Sequence, residues 1–192
     1  MIEVVAIGGS AGSLPVVMAI LKALPSKFDY SVILVIHRLK NVSSEMERIL
    51  AGTTDLQIRE PEDKEPIKPG VVYLAPQNYH LQIEADRTFS LDYSELVNYS
   101  RPSIDVTFEC VATIFKEKAV AVLLSGANAD GAAGLDKIVR RGGVGIAQDP
   151  ASAEYKLMPQ SALDRNKEIS SQSPEHIVNY ISTITSLPNR KK

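Results

Sequence analysis

Gly8-Gly9-Ser10-Ala11-Gly12 sets a serine in a G-x-S-x-G pattern, directly after an apolar run and before a helical one. A strand-to-helix turn of this kind exposes a hydroxyl and crowds the backbone, so its flanking residues must be small. The helix behind it supplies unpaired N–H groups able to stabilise an oxyanion. Two other roles suit the same loop. Ser10 can cap the helix, and the glycines can cradle a phosphate. The loop has neither the full G-x-G-x-x-G spacing nor the lysine of a P-loop.

His37 ends the run Val32-Ile33-Leu34-Val35-Ile36. Imidazole is the side chain best suited to take a proton from a hydroxyl near neutral pH, although a histidine at a strand end can equally serve a local hydrogen bond. His80, which starts a hairpin, and His176, in the first turn of a terminal helix, are its rivals. Asp130 precedes Gly131-Ala132-Ala133. It reads either as a helix N-cap or as the carboxylate that fixes a histidine tautomer. Asp149, before Pro150, competes for that role but reads more simply as a turn residue.

The elements that must hold these side chains follow from periodicity. Residues 3–7, Val32–Ile36, Val71–Leu74, Ala119–Leu124 and Val144–Ala147 are short apolar runs of the kind that form buried parallel strands. Leu14, Val17, Met18, Leu21 and Leu24 recur at helical spacing, with Pro15 in the first turn. Ser44-Glu45-Met46-Glu47 reads as a capping box. Further helices are expected from Pro102, over Ala132–Arg141, over Pro159–Leu163 and from Ser173-Pro174. Leu81, Ile83 and Ala85, then Phe89, Leu91 and Tyr93, alternate with polar residues as in an antiparallel hairpin with one wet face. A short edge strand is expected at Ile169–Ser171. The fold class is α/β: a three-layer α/β/α, doubly wound, mostly parallel sheet with an inserted antiparallel hairpin. Ligands of such sheets gather beyond the C-terminal strand ends, which is where Ser10, His37, Asp130 and Asp149 fall.

Composition bounds the function. The 192 residues carry 21 Lys and Arg against 23 Asp and Glu, a net charge of −2 that argues against a general nucleic-acid binder. A single cysteine, Cys110, excludes a disulfide scaffold and reads as a small core residue. The N-terminus lacks a basic segment, its apolar run stops at Gly8, and no stretch reaches the ~20 apolar residues of a membrane span. A cytoplasmic protein that is not membrane-inserted is expected. Residues 1–188 read as one domain, and 189–192 as a flexible basic tail.

Taken together, these segments resemble the CheB-type chemoreceptor methylesterases over nearly the whole chain. The resemblance rests on Ala6-Ile7-Gly8-Gly9-Ser10-Ala11-Gly12, Val35-Ile36-His37-Arg38, Pro69-Gly70-Val71-Val72-Tyr73-Leu74-Ala75-Pro76, Arg101-Pro102-Ser103-Ile104-Asp105 and Leu124-Ser125-Gly126-Ala127-Asn128-Ala129-Asp130-Gly131. It extends through Ile146-Ala147-Gln148-Asp149, Ser152-Ala153-Glu154-Tyr155 and Met158-Pro159. It implies a triad of Ser10, His37 and Asp130, which selects against His80 and Asp149, and an oxyanion site at the Ala11 and Gly12 N–H groups. It implies hydrolysis of glutamate γ-methyl esters on chemoreceptor helices, with glutamine deamidation as a second activity, and neither metal nor organic cofactor. A different serine ester or amide hydrolase, and a non-catalytic receptor-binding module, are the alternatives.

Departures from the family pattern mark the substrate side. Ala11 stands where a threonine is frequent, and Ser100 where a histidine is frequent. Gly126-Ala127-Asn128 replaces Gly-Met-Gly. Loss of the methionine would widen the wall beside the nucleophile, and Asn128 takes a glycine position where a positive φ is expected. Arg101, Ala127 and Asn128 are therefore substrate-side candidates. The family's usual N-terminal receiver domain is not expected in this chain, which leaves room for a separate response-regulator partner.

Overall fold

The computed structural model describes residues 1–38 and 45–184. The expected tail at 189–192 and Ser44 of the expected capping box lie outside them. In chain order the elements are β1 (Val4–Gly9), α1 (Leu14–Ala23), β2 (Ser31–Ile36), α2 (Met46–Ala51), β3 (Ile58–Arg59), β4 (Val72–Leu74), β5 (His80–Ile83) and β6 (Phe89–Asp92). They continue with α3 (Ile104–Phe115), β7 (Ala119–Leu123), α4 (Ala132–Arg140), β8 (Val144–Gln148), α5 (Leu157–Arg165), β9 (Ser170–Gln172) and α6 (Pro174–Ser182).

Seven strands form one parallel sheet in the order β3-β4-β2-β1-β7-β8-β9, and β5 and β6 pair antiparallel as a separate hairpin. The chain starts in the middle and winds outward in both directions, as expected of a doubly wound sheet. The alternation of side chains along β1 shows why the molecule needs three layers. Val4 and Ala6 join one core with Phe108 and Val111 of α3 and Leu135 of α4. Val5 and Ile7 join the other with Val17 and Ile20 of α1 and Ile177 of α6. The central strands are buried on both faces, so they carry β-branched and small residues without a polar face. The hairpin adds Leu81, Ile83 and Phe89 to the α3 side.

β1 runs two residues beyond the apolar run that announced it. Gly8 pairs with Val35 and Leu123, and Gly9 with Ile36, so both glycines are strand residues. The side of α3 explains one of them: a Cβ on Gly8 would lie 2.4 Å from Ile104 Cγ2. Only a bare backbone lets α3 approach this strand end. α6 starts with the expected chemistry, Ser173 accepting from the His176 N–H with Pro174 behind it, whereas α3 starts at Ile104, two residues later than the start expected at Pro102, because Ser103 is the N-cap and accepts from the Val106 N–H. At α2 the N-cap is Glu45, with no side-chain cap. The two-residue strand β3 escapes a periodicity reading because it is too short to show a period.

Candidate active site

Adjacent rungs of the sheet bring the first two candidates together. Gly9 pairs with Ile36, so Ser10 and His37 leave neighbouring parallel strands at the same level, and the His37 N–H donates to Gly9 O at 3.1 Å. Beyond β7, the segment 124–130 crosses the same rim, with Leu124 N–H bonded to Gly8 O and Ser10 N–H bonded to Ser125 O, both at 2.9 Å.

The Ser10 loop is held from several sides. Helix α1 is capped at Ser13, not at Ser10, and the Ser13 hydroxyl donates to Ser10 O at 2.7 Å. Capping therefore does not account for Ser10. Gly12 has φ +77°, and a Cβ there would sit 2.6 Å from Glu154 Cβ and 2.8 Å from Ser125 Oγ. Fully buried Ser125 donates to Ala11 O at 2.8 Å and accepts from the Tyr155 N–H at 2.9 Å, tying the serine loop to the loop after β8. Among the described residues, the Ser10 hydroxyl and the N–H groups of Ala11 and Gly12 make no hydrogen bond. A hydroxyl and two N–H groups are thus open together at a helix N-terminus.

Asp130 is fully buried and surrounded by donors. Its Oδ2 receives His37 Nε2 at 2.8 Å and the Ile104 N–H at 2.7 Å. Its Oδ1 receives Ser103 Oγ at 2.8 Å, Asn98 Nδ2 at 3.0 Å and the Asp105 N–H at 3.2 Å. Burial pushes this carboxyl up, but the bonds from His37, Asn98, Ile104 and Ser103 together outweigh burial and hold it below the ordinary aspartate value. The α4 N-cap is Gly131. Asp130 instead satisfies the first turn of α3, whose positive end favours a carboxylate. Because Asp130 only accepts, Nε2 of His37 is the nitrogen that donates to it, and in the neutral imidazole Nδ1 is then the acceptor. Nδ1 faces Ser100 Oγ at 3.4 Å, and it makes no hydrogen bond to Ser10.

The other candidates fall elsewhere. His80 is buried, accepts from the Ser103 N–H through Nδ1 at 3.1 Å and donates from Nε2 to Glu95 O at 2.9 Å, so both nitrogens are spent on structure. His176 faces solvent beside Ser173. Asp149 accepts from the Ala151 N–H in a turn. Cys110 is half-buried against the core, and burial raises its thiol. Ala127 is exposed. Asn128 is not among the residues of positive φ, against expectation; its side chain accepts from the Asp130 N–H at 3.1 Å, and this local bond holds the loop in ordinary backbone. Arg101 lies over the Tyr93 ring, 3.8 Å from its centroid, and donates to the Tyr93 and Ser94 carbonyls, so it braces the loop rather than reaching into open space.

Two residues belong to the site that patterns did not single out. Asn98 donates from one amide to Asp130 and, at 2.8 Å, to Asp105 Oδ2. Asp105, whose Oδ1 accepts from the Gly134 N–H at 2.7 Å, is raised mainly by burial and further by the charge of Asp130. No group of three or more His, Cys, Asp or Glu among the described residues is placed to hold a metal ion.

The family model for CheB methylesterase matches residues 5–181. This chain belongs to the CheB methylesterase family. Its structure superposes on the crystal structure of the Thermotoga maritima CheB methylesterase catalytic domain with a TM-score of 0.88 and 31% identity, covering 95% of this chain and 98% of that one. A Leptospira interrogans protein is 47% identical over 162 residues, 84% of each chain. A Thermotoga maritima protein-glutamate methylesterase/protein-glutamine glutaminase is 34% identical over 165 residues, 84% of this chain and 48% of that one. The chain thus spans about half the length of that relative. The mostly parallel sheet with its added hairpin is the fold of that CheB catalytic domain. No described helix is long and apolar enough to cross a membrane.

Proposed function

We propose that this chain is a cytoplasmic serine hydrolase that removes methyl groups from glutamate γ-methyl esters of chemoreceptors and deamidates receptor glutamines, with Ser10 as nucleophile, His37 as base and Asp130 as its orienting carboxylate. The observation that carries this reading is the donor-only surround of Asp130, which leaves His37 Nδ1 as an acceptor at the rim where Ser10 stands. Ser10 Oγ must close on Nδ1 when substrate binds, a tightening common in active sites.

In the reaction Nδ1 takes the Ser10 proton as Oγ adds to the ester carbonyl carbon. The Ala11 and Gly12 N–H groups receive the oxyanion, and Asp130 stabilises the imidazolium through Nε2–H. The ester C–O bond breaks, and methanol leaves with the proton from Nδ1. Water, deprotonated at Nδ1, then cleaves the glutamyl ester on Ser10 and returns the serine proton. An amide substrate releases ammonia by the same steps. The reading is supported by the membership of the family and by the names of the relatives. The decisive experiment measures methanol release from a methylated receptor fragment by wild type and Ser10→Ala. Loss of release, with fluorophosphonate labelling of Ser10 in the wild type alone, is expected; undiminished release by Ser10→Ala overturns the assignment.

A further inference from the structure

Beside His37 the chain makes a tight turn that holds an aromatic ring away from the protein. Val97 and Ser100 pair across it, with Val97 N–H to Ser100 O at 3.3 Å and Ser100 N–H to Val97 O at 2.9 Å. Its two central residues, Asn98 and Tyr99, have φ of +50° and +61°. Two successive positive φ values are the mark of a type I′ turn, whose preferred pair is Asn-Gly. Asn98 fits that pattern, and Tyr99 occupies the glycine position. A bulky residue there is strained, and such strain persists where the surroundings or a function demand it.

Contacts of the Tyr99 ring do not supply the demand, because Tyr99 is 93% exposed. The surroundings do fix its backbone. Asn98 on one side is bonded to Asp130 and Asp105, and Ser100 on the other faces His37 Nδ1. The ring is therefore mounted one residue from the catalytic hydrogen bonds on either side and directed to solvent. Leu96 and Val97, also exposed, extend the apolar surface, and the Tyr93 ring braced by Arg101 stiffens the base of the loop.

We propose that Tyr99 is a specificity-determining residue that packs against the protein segment carrying the scissile glutamyl side chain. This rests on the proposed esterase reading. A substrate whose reacting group is a side chain of a folded protein must bring its neighbouring surface onto the rim. An aromatic of fixed backbone offers contact area with little conformational entropy to lose.

The test compares Tyr99→Gly and Tyr99→Phe on two substrates: a receptor cytoplasmic fragment, methylated or carrying the glutamine, and a small fluorophosphonate that needs only the serine machinery. Glycine restores the preferred turn pair, so Tyr99→Gly keeps its melting temperature or raises it. The expected result is that Tyr99→Gly lowers the ratio of receptor kcat/KM to probe labelling rate by about tenfold, through KM, the size of loss that truncating an anchoring aromatic brings. Tyr99→Phe retains the ratio. Receptor turnover unaltered by Tyr99→Gly, or losses equal on both substrates, overturns the role of Tyr99 and leaves the esterase reading standing. Absence of receptor turnover by the wild type in either form overturns both.

Discussion

The Ile104 N–H donates to Asp130 Oδ2 at 2.7 Å, so the carboxylate bonded to His37 is itself held by the first turn of α3. Helix and histidine share one oxygen. Replacing that oxygen pattern therefore has two separable effects. Asp130→Asn presents an amide to groups that are all donors, and His37 loses the acceptor that keeps its proton on Nε2. Turnover is expected to fall by about 10⁴-fold, as for a triad carrying the wrong tautomer. Unfolding free energy should fall by about 1–3 kcal/mol for the unsatisfied donors. Steady-state kinetics and urea unfolding measure the two; turnover within tenfold of wild type contradicts the orienting role.

Asp105 and Asp130 share the Asn98 amide but are shifted in opposite directions. As pH falls, Asp105 should take its proton first, above the ordinary value of 3.8, while Asp130 stays ionised below it. The linkage has opposite signs. Ionised Asp105 costs stability at neutral pH, and that cost is relieved as pH falls through its raised pKa. Asp130 contributes stability above 3.8 that is lost as pH falls through its lowered pKa. Carboxyl carbon NMR titration resolves the order; Asp130 titrating first contradicts it.

Gly12 is the position where the serine loop has no room for a side chain. Gly12→Ala combines a positive φ with a Cβ 2.6 Å from Glu154 Cβ. The strain alone is about 1–3 kcal/mol, and relief by displacement of the loop moves an oxyanion donor. Loss of probe labelling at Ser10 should exceed the loss of folded protein. Labelling per folded molecule equal to wild type would show that the loop tolerates the shift.

His80 separates structure from chemistry. His80→Phe removes the partners of the Ser103 N–H and Glu95 O, at a cost of about 1–3 kcal/mol. Folded His80→Phe should still label at Ser10, whereas His37→Ala should not. Equal loss of labelling in the two variants, measured on folded protein, would draw His80 into the mechanism.

The strands were legible in the sequence because the central ones are buried on both faces and read as unbroken apolar runs. The placement of Ser10 and His37 followed from the rule that ligands lie beyond the strand ends. What sequence order obscured was partnership across the chain. Asp130 precedes α4, which suggests a cap there, yet its carboxylate serves α3, 26 residues earlier. Asn98 has no periodic or motif signal; a positive φ turns its amide to two carboxylates that only the fold brings together. The glycine-like role expected for Asn128 failed because its own side chain closes the loop with a local bond. β3, with two residues, is an edge strand whose one strand partner is β4.

The shared rung of Gly9 and Ile36 divides the molecule by durability. Ser10 and His37 are spaced by the ladder at the middle of the sheet, whose amides should exchange with solvent only when the whole domain opens. The turn at Asn98 and Tyr99 sits outside that ladder, and a local excursion there would withdraw one of the five bonds to Asp130. Ser10 and His37 should keep their spacing until global unfolding, while the Asn98 bond to Asp130 should open and close on its own clock.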